Sequence, residues 1–108
     1  MNKIFVYGSL MTGGRYHQYC LGGKPKLGNA VAAGYKKYLF GGGLDGIAPE
    51  EGEAVEGEVY EVDEKTLNRM DFFLNNGTIV TRQLINVQME DGTTAETYAY
   101  IWTGSGDM

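Results

Sequence analysis

Lys3-Ile4-Phe5-Val6-Tyr7-Gly8-Ser9-Leu10 is an apolar, β-branched and aromatic run that stops abruptly at a Gly-Ser pair. The run predicts a buried strand, and the pair predicts a tight turn at its end. Gly8 has no Cβ, so its N–H and those of Ser9 and Leu10 can turn toward one point and approach a ligand closely. Donors arranged in this way suit a carboxylate, a phosphate oxygen or a developing oxyanion. A plain turn has the same composition, so the rest of the chain has to decide between the two.

Working outward, Arg15 to Leu21 reads as one or two helical turns, closed by Gly22-Gly23-Lys24-Pro25. Leu27 to Phe40 reads as one bent strand or two short ones, with a bulge or bend at Gly34 and with Tyr35 and Tyr38 as candidates to face a cavity. Residues 41–46, with three adjacent glycines, suggest a flexible connection, and Asp45 to Glu53 an acidic, solvated loop. Val55 to Val62 is a strand in which Gly57 marks a place where another backbone passes closely. Asp63 suits the N-cap of a helix running to about Leu74, whose Leu67, Met70 and Leu74 share one face. Asn75-Asn76-Gly77 is its stop signal. Ile79 to Met89 and Thr94 to Trp102 are strands joined at Asp91-Gly92, the second alternating Ala95, Thr97, Ala99 and Ile101 against Tyr98, Tyr100 and Trp102. The expected fold is α+β: a single domain over 1–108, a small and mostly antiparallel β-barrel or curled sheet with one main helix.

Composition excludes several classes of function. All 14 acidic residues follow Leu44, where they meet only Lys65, Arg69 and Arg82, whereas the first 44 residues hold six basic residues and no acid. The net charge of −5 argues against general nucleic-acid binding. The basic first part either complements the acidic remainder within the fold or sets a positive field around the Gly8 turn. One cysteine, Cys20, fits a reducing cytoplasm and reads as an inert small residue. No run approaches the ~18 apolar residues of a membrane span. Cys and His are too few for a zinc site, and no cofactor is expected.

Tyr7-Gly8-Ser9-Leu10, the strand Val55-Glu56-Gly57-Glu58-Val59-Tyr60-Glu61-Val62, the helix after it and the strand from Arg82 to Val87 form an ordered series. In that order the sequence resembles the gamma-glutamylcyclotransferase-like, or AIG2-like, family along most of its length. The resemblance implies a cyclotransferase fold and a pocket at the Gly8-Ser9-Leu10 turn, with Arg15, in the basic loop behind the first strand, as an anion partner. It also implies a reaction in which the α-amine of a γ-glutamyl substrate attacks its own γ-carbonyl and releases 5-oxoproline. Backbone donors would stabilise the oxyanion, and a Glu near the helix end, in a Leu-Asp-x-Leu/Phe-Glu-Gly pattern, would move the protons.

The corresponding stretch here is Met70-Asp71-Phe72-Phe73-Leu74-Asn75, so Leu74 takes the place of the Glu. Val80 likewise stands where the family has a Tyr two residues before Arg82. Asp71 and Glu58 remain as surrogate bases. The leading expectation is therefore a small-molecule-binding protein that holds or sequesters an anionic metabolite or nucleotide-like signal, with Tyr7, Gly8, Ser9, Leu10, Arg15, Leu74 and Arg82 around the ligand. The alternatives are an active cyclotransferase with a displaced base, and an interaction module using Tyr98, Tyr100 and Trp102. Homo-oligomerisation stays open.

Overall fold

A computed structural model describes residues 2–14, 16–41, 44–74 and 80–102. The elements run in the order β1 (Asn2–Val6), a 3-10 turn (Gly8–Leu10), α1 (His17–Leu21), β2 (Lys26–Gly41), β3 (Leu44–Val62), α2 (Glu64–Phe73), β4 (Val80–Met89) and β5 (Thr94–Trp102). The strands close into a barrel in the order β1-β3-β2-β4-β5. All of these neighbours are antiparallel where a register is defined between β1 and β3, β2 and β3, β2 and β4, and β4 and β5. The parallel contacts are Ile4 beside Tyr98 and Ile47 beside Ile101.

Side-chain alternation sorts the strands into two apolar clusters. Phe5, Tyr7, Ala30, Ala32, Val55, Val59, Val87, Ala99 and Ile101 belong to one, with Tyr35 and Ala95 packed beside it. Ile4, Val6, Tyr60, Val62, Val80 and Tyr100 belong to the other, where they meet Leu10, Cys20 and Leu21 from the first connection and Leu67 and Met70 of α2. Successive residues of β1 thus point alternately into the barrel and under the helices. Leu67 and Met70 are fully buried, each contributing about 1.5–3 kcal/mol relative to exposure.

Local chemistry sets the boundaries. Asp63 caps α2 by accepting the Thr66 N–H at 2.8 Å, which satisfies one of the first-turn donors. At Gly57 an added Cβ would fall on the Val6 carbonyl oxygen and the Phe5 ring, so only glycine lets β1 lie against β3 there. Gly34, with φ +85°, sits in the register shift between Ala33 and Tyr35. Asp91 Oδ1 accepts from the Thr93 N–H at 2.9 Å and its hydroxyl at 2.6 Å, closing the β4–β5 hairpin.

Two expectations need correction. Residues 45–53 are not a loop: they extend β3 back to Leu44. The acids disguised this because β2 skips from Ala33 to Tyr35 while β3 steps from Ala54 to Pro49, so residues 50–53 bulge outward opposite Gly34 alone and are exposed. Nor do the even residues of β5 form an exposed aromatic face. Tyr100 is 3% exposed, Tyr98 and Trp102 are half-buried, and Trp102 packs on Tyr38 with ring centroids 5.1 Å apart. Gly42, Gly43 and the Asn75-Asn76-Gly77 stop signal lie outside the described residues.

Candidate ligand site

Tyr7, the residue after β1, keeps an extended conformation, and the chain then folds into a single 3-10 turn. Gly8 adopts φ +58°, a left-handed conformation that costs a residue with a Cβ roughly 1–2 kcal/mol. The Leu10 N–H donates to the Tyr7 carbonyl at 3.2 Å, and the Met11 N–H to that of Gly8 at 3.1 Å. The expectation of three converging donors is therefore corrected. Leu10 is turned back into the turn, which leaves the Gly8 and Ser9 amides as its ligand-facing candidates.

The turn is held on both flanks. The Leu10 carbonyl contacts His17 Nδ1 at 3.0 Å; a carbonyl can only accept, so this nitrogen carries the proton. Beyond the turn, the Thr12 N–H donates to Glu58 Oε1 at 2.9 Å. The same oxygen is approached by the Tyr60 hydroxyl at 2.9 Å and the Thr12 hydroxyl at 3.1 Å, while Lys26 Nζ lies 3.3 Å from Oε2. The two hydroxyls are also 2.8 Å from each other, so two protons serve three contacts. Burial pushes the Glu58 carboxyl up, but the Thr12 N–H, the Tyr60 hydroxyl, Lys26 and the Thr12 hydroxyl outweigh it and hold the group below the usual carboxylate range.

A second constellation lies at the end of α2. The Tyr7 hydroxyl donates to the Tyr100 carbonyl at 2.6 Å, and the Tyr100 hydroxyl donates to Asp71 Oδ1 at 2.6 Å, so two hydrogen bonds lead from the turn to the helix. Burial, followed by the hydrogen bond to Asp71 and its charge, pushes the Tyr100 hydroxyl far up and keeps it a donor. Arg82 Nε lies 3.4 Å from Asp71 Oδ1, and its guanidinium sits 4.8 Å from the centre of the Tyr98 ring. Leu74 is the C-cap of α2, half-buried against the cluster that contains Leu10 and Tyr100. Phe73 beside it packs edge-on to Tyr16 at 5.2 Å and lies 4.9 Å from Tyr19, while Phe72 is 86% exposed.

Tyr7, Asp71 and Arg82 are thus linked to Tyr100, and Leu10 and Leu74 belong to or pack on the same apolar cluster, whereas Glu58 belongs to the far flank of the turn. Arg15 lies outside the described residues. The sequence reading missed Thr12, His17, Lys26, Tyr60 and Tyr100. Glu58 stood out only as a surrogate base: Glu56 and Glu61 share its strand, and no local signal marks Glu58 as the buried one that needs partners. Cys20 is buried, which raises its thiol to about 11, with Arg69 opposing the shift; it is a packing residue. Among the described residues no group of three or more His, Cys, Asp or Glu is placed to hold a metal ion. No helix among them is long and apolar enough to cross a membrane.

A closed barrel with a glycine turn after its first strand and a capped helix packed over that strand defines a cyclotransferase-type domain. The family model "Gamma-glutamyl cyclotransferase, AIG2-like" matches residues 4–107, and the chain belongs to that family. A protein of Methanocaldococcus jannaschii that carries a provisional gamma-glutamylcyclotransferase name is 31% identical over 110 residues, spanning 97% of this chain and 88% of the relative. A Drosophila melanogaster protein with a name of the same kind is 31% identical over 109 residues, spanning 92% of this chain and 68% of its own. The crystal structure of an AIG2-like protein from Mus musculus superposes with a TM-score of 0.85 at 27% identity, over 95% of this chain and 78% of that one.

Proposed function

We propose that this protein binds a small anionic molecule, a metabolite or nucleotide-like signal, at the Gly8–Ser9 turn and holds it without cyclotransferase chemistry. The observation that carries this reading is Leu74. By the family resemblance it occupies the position of the proton-moving Glu, and its side chain joins an apolar cluster where no carboxylate would be expected. Neither surrogate acid is disposed to replace it. Glu58 is ringed by donors and held ionised below the usual range, and a base so stabilised is a weak proton acceptor. Asp71 is committed to Tyr100 and Arg82.

The ligand should be recovered by denaturing protein purified from its native cells and identifying what it releases. Gly8→Val should lose at least tenfold in affinity for the recovered molecule while still unfolding cooperatively; unchanged affinity would remove the turn from the site.

One observation favours a second reading, an active cyclotransferase with Asp71 as displaced base. The Asp71 side chain keeps 20% of its exposure and lies three residues before Leu74, on the same face of the helix. On this reading Asp71→Asn abolishes release of 5-oxoproline.

A further inference from the structure

The residue beside the entrance of the Gly8 turn and the residue that grips its exit are the same one. In the β1–β3 register Val6 lies opposite Glu58, so the backbone of Glu58 fixes the last residue of β1. Its carboxylate then reaches across to the Thr12 N–H, six residues further along the chain than Val6. The turn between them is closed by one residue of β3, with His17 holding the Leu10 carbonyl in the middle. The Glu58 side chain is buried, and an ionised carboxylate out of water is costly unless its lone pairs are used. Here three donor contacts reach Oε1, and Lys26 lies beside Oε2. Thr12 is itself exposed, so the apolar core does little to hold it and this polar clamp is its main tie to the barrel.

We infer that Glu58 is a positioning residue, one that holds the Gly8–Ser9 amides in ligand-binding geometry by tying Thr12 to β3. The inference rests on the reading of the turn as the ligand site. Its chemistry is preorganisation: donors fixed before the anion arrives need no reordering when it binds. Tyr60 supports the clamp by sharing the Thr12 and Glu58 oxygens, and Lys26 balances the charge from the second oxygen.

The test is residue-by-residue amide hydrogen exchange on the unliganded protein, which separates local from global opening. In Glu58→Ala the Met11 and Thr12 amides and those of the turn should exchange at least tenfold faster than in the parent, while Ile85, Val87, Tyr98 and Tyr100 in the β4–β5 ladder stay within twofold. Glu58→Gln keeps an acceptor and loses the charge, so it should give a smaller change, about threefold, confined to the same segment. If Glu58→Ala does not fold, Glu58→Gln carries the test alone. Equal acceleration in the turn and in the β4–β5 ladder, or an unchanged turn, would overturn the positioning role. A parallel titration with inorganic phosphate, followed through the Gly8 and Ser9 amide shifts, should be at least fivefold weaker in Glu58→Ala than in the parent. If phosphate does not move those shifts in the parent, the anion reading is weakened while the exchange result still decides the role of Glu58.

Discussion

The two ends of the site differ in kind. At the turn after β1, polar side chains from three segments, α1, β2 and β3, converge on the backbone: His17 on Leu10, and Glu58, Tyr60 and Lys26 on or around Thr12. At the end of α2 Leu74, like Phe73 and Tyr16, packs against the apolar cluster containing Leu10, and the polar residues nearby are tied to one another. The first end is built to hold backbone donors still. The second has apolar bulk where the family resemblance places a proton carrier. On the proposed reading a binding turn and a catalytic acid are separable parts of such a site: the turn keeps its left-handed Gly8, and Leu74 stands where the resemblance places the acid.

Both ends stand on the β1–β3 pairing, so the largest expected effect comes from breaking it. Gly57→Val would drive its side chain into Phe5 and the Val6 carbonyl, and should cost about 3 kcal/mol or more, seen as a lower denaturant midpoint and loss of both ends together. A smaller change separates them. Tyr100→Phe removes the donor to Asp71 while leaving the Tyr100 carbonyl to the Tyr7 hydroxyl. It should cost roughly 1.5–3 kcal/mol, as for a hydrogen bond to a charged group, and loosen the α2 end in hydrogen exchange more than the turn. Weaker still, Asp63→Ala takes away the N-cap of α2, with an expected loss of ~1 kcal/mol in chemical denaturation and no effect on the amides of the turn.

Acid titration sharpens the contrast from the other side. The folded Glu58 carboxyl lies below its usual value of 4.5, so its contribution is fully present above that value and is lost as pH falls through the lower, folded one. Stability measured across that acid range should fall less steeply in Glu58→Gln than in the parent. The exposed carboxylates Asp63 and Asp91, lowered by their bonds to Thr66 and Thr93, shift in the same direction and remain in both proteins, so the difference between the two curves isolates Glu58.

Local signals carried most of the fold. The run Lys3 to Tyr7, the cap Asp63, the bulge at Gly34, the close approach at Gly57 and the turn at Asp91-Gly92 each act within a few residues or through the size of one side chain, and each was legible. Alternation in β5 separated its two faces but did not say that the odd side chains join the Phe5 cluster and the even ones the helix side; that depends on barrel closure, where Ile4 meets Tyr98. The extension of β3 was hidden because Glu50, Glu51 and Glu53 are exposed and break the apolar pattern. At the site, Tyr7, Gly8 and Leu74 were readable as motif positions. The Glu58 clamp was not, since Lys26 and Thr12 lie 32 and 46 residues away in the chain. Neither was the spent Leu10 amide, because a 3-10 turn and an open nest of donors have the same residues.

The central claim is that the turn binds and the helix end no longer moves protons. It is tested most directly by assaying 5-oxoproline release from a panel of γ-glutamyl amino acids and γ-glutamyl amines, with the natural chain beside Leu74→Glu. The account predicts no release above the buffer blank from the natural chain, and any activity that appears in Leu74→Glu would show that only the acid was missing. Turnover by the natural chain, abolished in Asp71→Asn, would contradict the account and make this protein a cyclotransferase with its base moved one helical turn.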